Sequence, residues 1–175
     1  MSKSLFRTVT AAMLCSLVFV FTFLSVPAGV GNVNLGDGAL LLAAWSLGGP
    51  WAVIAAAGGA ALADLAGGYA LYAPATFVIK ALMVLSVLLV QRLLCRLHLS
   101  VRLCRLLSAV IAEGVMVLGY FIYEAWVLGY GLGAAASIPF NAVQGAVAVA
   151  LSGALFELLC RAGILTREGK ISFLQ

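Results

Sequence analysis

The chain has 175 residues, 65% of them hydrophobic and 9% charged, with a formal net charge of +4. Soluble domains carry about a quarter charged residues, so this composition excludes an ordinary soluble fold and points to a membrane protein. A spanning helix needs about 20 largely apolar residues. That leaves room for roughly five to seven spans and no second domain.

The first run, FRTVTAAMLCSLVFVFTFLSVP, has a basic start and an apolar body longer than a signal-peptide core. SVPAG is also a poor cleavage site, so the run is read as a retained helix at about 7–27. A Gly/Asn-rich link, AGVGNVNLGDG, follows on the outer side. A short apolar run, ALLLAAWSLGG, predicts a second span at about 38–48, broken by Gly48–Pro50. The third span, at about 51–72, ends near YAPAT, where a proline separates helices. The remaining spans fall at about 76–95, 103–128 and 138–162, before the polar tail TREGKISFLQ. The expected fold class is all-α, an integral membrane six-helix bundle forming a single transmembrane domain.

Every basic residue but Lys80 belongs to one of three clusters. These are Lys3 and Arg7; Arg92, Arg96, Arg102 and Arg105; and Arg161, Arg167 and Lys170. Positive charge collects on the cytoplasmic side of membrane proteins. Six spans put all three clusters there, with both termini cytoplasmic, whereas five or seven would break the agreement. The clusters therefore read as topology signals in a lipid bilayer and not as a nucleic-acid surface. Cys15, Cys95, Cys104 and Cys160 make no CxxC or Cys/His spacing, and the sole histidine, His98, reads as a solvated interfacial residue. No metal or cofactor is expected.

The third span repeats small residues every four positions: Ala55, Gly59, Ala63 and Gly67, with Ala56, Ala60, Asp64 and Gly68 in the adjacent row. Such rows let helices approach closely in lipid. The sixth span carries a looser version in Gly145, Ala146, Ala148, Ala150 and Gly153. The result is a tightly packed bundle.

Ionisable groups inside spans cost about 2.5–3.5 kcal/mol each at a helix centre, so each needs a partner or a cavity. Asp37, with Asn34 beside it, begins the second span, where it can cap the helix or touch a ligand. Asp64 and Lys80 lie in the outer half of consecutive antiparallel helices. They can form a buried pair or line a site, and Lys80 can also snorkel outward; Asp64 is assigned to structural support. In the fifth span Glu113, Tyr120 and Glu124 share one helical face, with Tyr123 beside it. Glu113 lies about 12 Å inward from Arg105 at the helical rise, and is assigned a structural or supporting role. Tyr120 and Tyr123 can be interfacial aromatics or part of a site. In the sixth span Asn141 and Gln144 lie near the outer end, and Glu157 is placed to bridge to Arg161. Asp64, Lys80, Tyr120, Glu124, Asn141 and Gln144 thus converge on the outer half, which describes a pocket for a small polar molecule under the Gly/Asn-rich link.

No GxSxG, HExxH, P-loop or GxGxxG pattern is present, so the chain is not expected to be an enzyme. It also lacks a nucleotide site, so uphill transport would take its energy from a partner.

The stretch NVNLGDGALLLAAWSLGGPWAVIAAAGGAALADLAGGYALYAPATFVIKAL resembles the S components of energy-coupling factor (ECF) vitamin transporters. GYFIYEAWVLGYG and IPFNAVQGAVAVALSG resemble the fifth and sixth helices of the same group, so the similarity runs from about Thr8 to Leu159. The resemblance implies six helices with both termini cytoplasmic, in a bacterial cytoplasmic membrane. It implies substrate binding near the extracellular face, under the loop joining helices one and two. It also implies partners: a transmembrane T component and two ATPase subunits, with the S component toppling as ATP is hydrolysed. The family docks on the T component through an Ala-x-x-x-Ala pattern in helix one. Here Ala11 is followed by Cys15 and Ala12 by Ser16, so small residues are kept at all four positions.

Within the family the chain is similar to the riboflavin-type and related branch, whose substrates include riboflavin-, pyridoxine- and hydroxymethylpyrimidine-like molecules. A small heterocyclic vitamin or precursor would then be held by Asn34, Asp37, Lys80, Tyr120, Tyr123, Glu124, Asn141 and Gln144. A stand-alone carrier without ATPase partners, and a membrane-embedded enzyme or ligand-free scaffold, are the alternative readings.

Overall fold

The computed structural model describes residues 3–28 and 31–166. Arg167 and Lys170 of the third basic cluster lie outside the described residues, as do Gly29 and Val30 of the link. Six α-helices are described: α1 (Lys3–Phe23), α2 (Gly36–Ser46), α3 (Gly49–Ala66), α4 (Ala73–Arg96), α5 (Val101–Ile122) and α6 (Ile138–Arg161). Between α1 and α2 lies an antiparallel hairpin, β1 (Val26–Ala28) and β2 (Gly31–Val33), pairing Pro27 with Asn32. The sequence predicts only a polar link here. Val26 and Val33 close the open end of the hairpin.

Among the described residues, five segments are long and apolar enough to cross a membrane: Ser4–Phe23, Gly49–Ala66, Ala73–Arg96, Val101–Val127 and Gly131–Arg161. α2 is different. Its 11 residues rise only about 16 Å, short of the roughly 30 Å apolar core of a bilayer. Gly36 through Trp45 are all buried. A helix apolar on every side belongs inside, and α2 packs against α1, α3, α4 and α6. Leu40, Leu41, Met83, Val84, Met116 and Phe156 form the fully covered core around it. The outer helices carry their large apolar side chains outward, with Met13, Leu62, Val78, Leu89, Val110 and Leu118 exposed, as a surface facing lipid requires.

The small-residue row of α3 is used against α1. A Cβ placed on Gly59 would lie 2.5 Å from the carbonyl oxygen of Cys15 and 3.1 Å from Cβ of Val18. Ala55, Ala56, Ala60 and Ala63 are buried beside it, while Gly67 and Gly68 are exposed and serve the helix end instead. Gly59→Val should destabilise the bundle by about 1–3 kcal/mol through overpacking. Gly58, with nothing near its missing Cβ, is the control, since Gly58→Ala should be neutral or stabilising. Thermal unfolding in detergent checks both; equal midpoints for the two variants would contradict this packing.

α3 ends at Ala66, short of the expected Tyr72. Gly68 adopts φ +84°, and Tyr69 N–H returns to Asp64 O at 2.8 Å while Gly68 N–H reaches Leu65 O at 3.4 Å. This pattern of bonds closes a helix through a left-handed glycine. It turns the chain so that Tyr69 and Tyr72 meet the mouth of the bundle. α5 ends in a π-helical turn, Tyr123–Val127, followed by a 3-10 helix, Gly131–Ser137, that leads into α6. The hairpin, the α3–α4 turn and the α5–α6 connection therefore share one end of the bundle. The α4–α5 connection, with an exposed His98, and the end of α6 share the other.

Candidate functional site

At the hairpin end a cavity of about 270 Å³ is lined by Pro27 and Asn32 of the hairpin, Asn34, Asp64 of α3, Tyr69 and Tyr72 of the turn, Thr76 of α4, Tyr120 and Glu124 of α5, and Asn141 and Gln144 of α6. The hairpin and its link to α2, α3, the α3–α4 turn, α4, α5 with its π-helical turn, and α6 all contribute. Three phenol rings, four side-chain amides and two carboxylates converge there, and no basic residue among the described ones lines it.

Beneath the cavity runs a buried chain of polar contacts. Asn34 N–H donates to Gln144 Oε1 at 2.8 Å. Gln144 Nε2 donates to Asp37 Oδ2 at 2.6 Å, and Lys80 Nζ donates to Asp37 Oδ1 at 2.5 Å. A carboxylate only accepts, so Asp37 fixes which end of the Gln144 amide faces it. Gln144 Oε1 is then left to hold the backbone at the start of α2. Lys80 also lies 5.4 Å from the centroid of the Tyr120 ring, within cation–π range. Tyr120 Oη is 3.0 Å from Thr76 Oγ1. One network thereby ties α2, α4, α5 and α6 together and sets the cavity floor.

This geometry revises several sequence expectations. Lys80 pairs with Asp37, not with Asp64, and does not snorkel, since it is 2% exposed. Asp37 does not cap α2: Asn34 Oδ1 accepts the Gly36 N–H at 2.9 Å, which leaves the Asp37 carboxylate for Lys80 and Gln144. Gly36 allows this entry because its backbone lies against Thr22, where a Cβ would fall 2.0 Å from the hydroxyl. Asp37 and Lys80 therefore lie below the cavity rather than on its wall. Asp64, assigned to structural support, lines the cavity instead.

Of the other expected residues, Asn34, Tyr120, Glu124, Asn141 and Gln144 are brought to the cavity. Tyr123 is not: its hydroxyl donates to Leu71 O, and its ring packs edge-on against Tyr72, centroids 5.6 Å apart. Glu113 lies deeper, packed against Gly145, and its carboxyl oxygens have no hydrogen-bond partner among the described residues. Glu157 accepts from Arg161 at 3.5 Å, the expected bridge, and lies 3.9 Å from Arg102. On α1, Ala11 is buried and Cys15 backs onto Gly59, whereas Ala12 and Ser16 face outward.

Pro27, Asn32, Tyr69, Tyr72 and Thr76 are the lining residues that sequence reasoning missed. The signal for two of them was AGGYALY, a glycine pair followed by two tyrosines, which marks a helix stop with aromatics beyond it. Glu124 sits in the π-helical turn, a local distortion frequent at functional sites, and Ser137 Oγ donates to its Oε2 at 2.6 Å. Burial and the nearby Glu124 carboxylate hold the Tyr72 phenol above its ordinary range, so it stays a neutral donor.

Residues 2–164 match the family described as ECF-type riboflavin transporter, S component. The chain belongs to that family. A solved structure of the S component of a bacterial ECF transporter shares the fold, with a TM-score of 0.75 at 23% identity over 91% of this chain and 98% of that one. No curated protein matches. The chain is thus an ECF S component, a substrate-binding membrane subunit of a transporter family and not a member of an enzyme family. ECF S components work with a T component and ATPases.

Proposed function

We propose that this S component captures a small, unphosphorylated heterocyclic vitamin or vitamin precursor in the hairpin-end cavity. The molecule is riboflavin-, pyridoxine- or hydroxymethylpyrimidine-like. It enters from outside a bacterial cytoplasmic membrane for ATP-driven uptake. The observation that carries the reading is the lining itself. Asp64 and Glu124 accept hydrogen bonds, the amides of Asn32, Asn34, Asn141 and Gln144 can read a ring edge, and Tyr69, Tyr72 and Tyr120 offer ring faces. Two carboxylates, with no lining cation among the described residues, favour a neutral or protonated ring bearing N–H and O–H donors, and repel a phosphate. Membership in the riboflavin-type family supports the substrate class.

In this reading α2 and its turn count as the second of six crossings. Both termini and all three basic clusters are then cytoplasmic, and the hairpin faces outward. The partners are a T component and two ATPase subunits. Docking uses the outward face of α1 at Ala12 and Ser16, since Ala11 is covered by this chain's own helices.

Titration with riboflavin against its 5′-phosphate, pyridoxine against pyridoxal phosphate, and hydroxymethylpyrimidine against its phosphate tests the substrate class. One free form should bind and its phosphate should bind at least about tenfold more weakly, the equivalent of about 1.4 kcal/mol. Equal or tighter binding of the phosphate would refute the electrostatic reading. In cells, Ala12→Trp should abolish uptake and co-purification of the T component while leaving vitamin binding intact. Uptake that survives without any ATPase partner would favour a stand-alone carrier.

A further inference from the structure

A second cavity, of about 380 Å³, lies at the opposite end of the bundle, between the start of α5 and the end of α6. Trp45, Arg102, Arg105, Phe156, Glu157 and Arg161 give it its character. Arg105 is only 9% exposed, yet its Nη1 has no hydrogen-bond partner among the described residues. The buried Nε1 of Trp45 is likewise unpartnered among them. The Arg105 guanidinium stacks 3.8 Å from the Phe156 ring centroid, and Trp45 meets the same ring edge-on at 5.6 Å. Phe156 thus fixes both donors in place. Arg102 and Arg161 stand at the rim, 68% and 75% exposed, with Glu157 between them as the one lining acid among the described residues.

Leaving buried donors unsatisfied is costly, most of all for a charged one. Among the described residues, three guanidiniums stand against one carboxylate and make the site electropositive, and guanidinium forks match phosphate oxygens. Its wall continues into apolar side chains, including Leu106, which is half exposed on the outer face of α5. Basic pockets between membrane helices at the cytoplasmic side take the headgroups of anionic lipids, and this is the cytoplasmic end by its basic clusters.

We infer that this cavity is a phosphate-group site, occupied by the headgroup of an anionic phospholipid whose chains lie along α5 and α6. The Trp45 indole and Arg105 hold the phosphate oxygens from within, and Arg102 and Arg161 close on it from the rim. The site joins α2, α5 and α6 at the end opposite the hairpin cavity, so lipid bound there fixes the inner ends of the helices that shape the outer site.

The test uses the full chain in neutral detergent, delipidated and then mixed with phosphatidylglycerol or with phosphatidylcholine of the same acyl chains. Native mass spectrometry should show phosphatidylglycerol retained in preference, and the unfolding midpoint should rise with it alone. Arg102→Gln and Arg161→Gln, both at exposed positions, should each weaken retention about fivefold without altering the circular dichroism spectrum. Arg105→Gln should abolish it, and Arg105→Lys should restore part of it. Inorganic phosphate, added alone at millimolar concentration, separates the sources. A shift comparable to that of the lipid would support the site with a free anion as its occupant. Competition without a shift of its own supports the headgroup. Equal retention of the two lipids with no response to phosphate would overturn the inference, and so would unchanged phosphatidylglycerol binding in the Arg102→Gln/Arg161→Gln chain.

Discussion

Asp37→Asn should destabilise the bundle by about 3–5 kcal/mol, the cost of breaking a buried ion pair by removing one partner. Asp37 is fully buried and Lys80 nearly so, and their side chains meet at 2.5 Å. The second oxygen of Asp37 accepts from Gln144. Only a carboxylate accepts from both neighbours at once. An asparagine can accept from Lys80, but its amide nitrogen would then face the Gln144 amide nitrogen. If Gln144 flips to relieve that clash, its oxygen abandons the Asn34 N–H. Lys80→Met should cost a similar amount by leaving the Asp37 charge unpaired. Combining Asp37→Asn with Lys80→Met should cost clearly less than the sum, because no uncompensated charge remains. Denaturation of purified protein in detergent measures all three. Additive losses, or single losses under about 1 kcal/mol, would show that the pair is not holding the floor.

Glu124→Gln should weaken ligand binding by roughly 10–100-fold, the loss of one charge-assisted hydrogen bond worth about 1.5–3 kcal/mol. The substitution is informative because the glutamine oxygen still accepts from Ser137, so the wall keeps its shape while the charge goes. Stability should therefore stay near that of the parent, in contrast to Asp37→Asn. Asn141→Ala should also lose affinity, since Asn141 lines the cavity from the first turn of α6. Isothermal titration with the best-binding vitamin measures both. Unchanged affinity in both variants would remove these residues from the site.

The two carboxylates separate what a sequence makes legible from what it does not. Tyr120 and Glu124, four residues apart on one helix, and Asn141 and Gln144, three apart on the next, announce shared faces by helical spacing alone. The structure brings all four to one cavity. The rows of small residues on α3 likewise forecast a close approach, found where Gly59 meets α1. The pairing of Asp37 with Lys80 spans 43 positions of sequence, and no local period reports it. Asp64 is nearer to Lys80 along the chain and takes its place in any pairwise guess. The burial of α2 is hidden from the sequence for a related reason. ALLLAAW is apolar throughout, and a run that is apolar on all sides looks alike whether lipid or protein surrounds it. Tyr69 and Tyr72 owe their positions to the left-handed turn at Gly68, a three-dimensional effect that the glycine hints at without giving its direction. The electropositive cavity at the other end is assembled from Trp45, Arg105 and Phe156 on three helices. In the sequence its arginines read only as markers of membrane sidedness.

The hairpin-end cavity, in the proposed function, holds an unphosphorylated heterocyclic vitamin. Mass spectrometry of the small molecules carried through purification, comparing the parent chain with Glu124→Gln, reads that occupancy. The parent should release one such molecule, near one per chain, and the variant should release little or none. An empty parent that also fails to bind any member of the vitamin panel, or equal amounts from parent and variant, would contradict it.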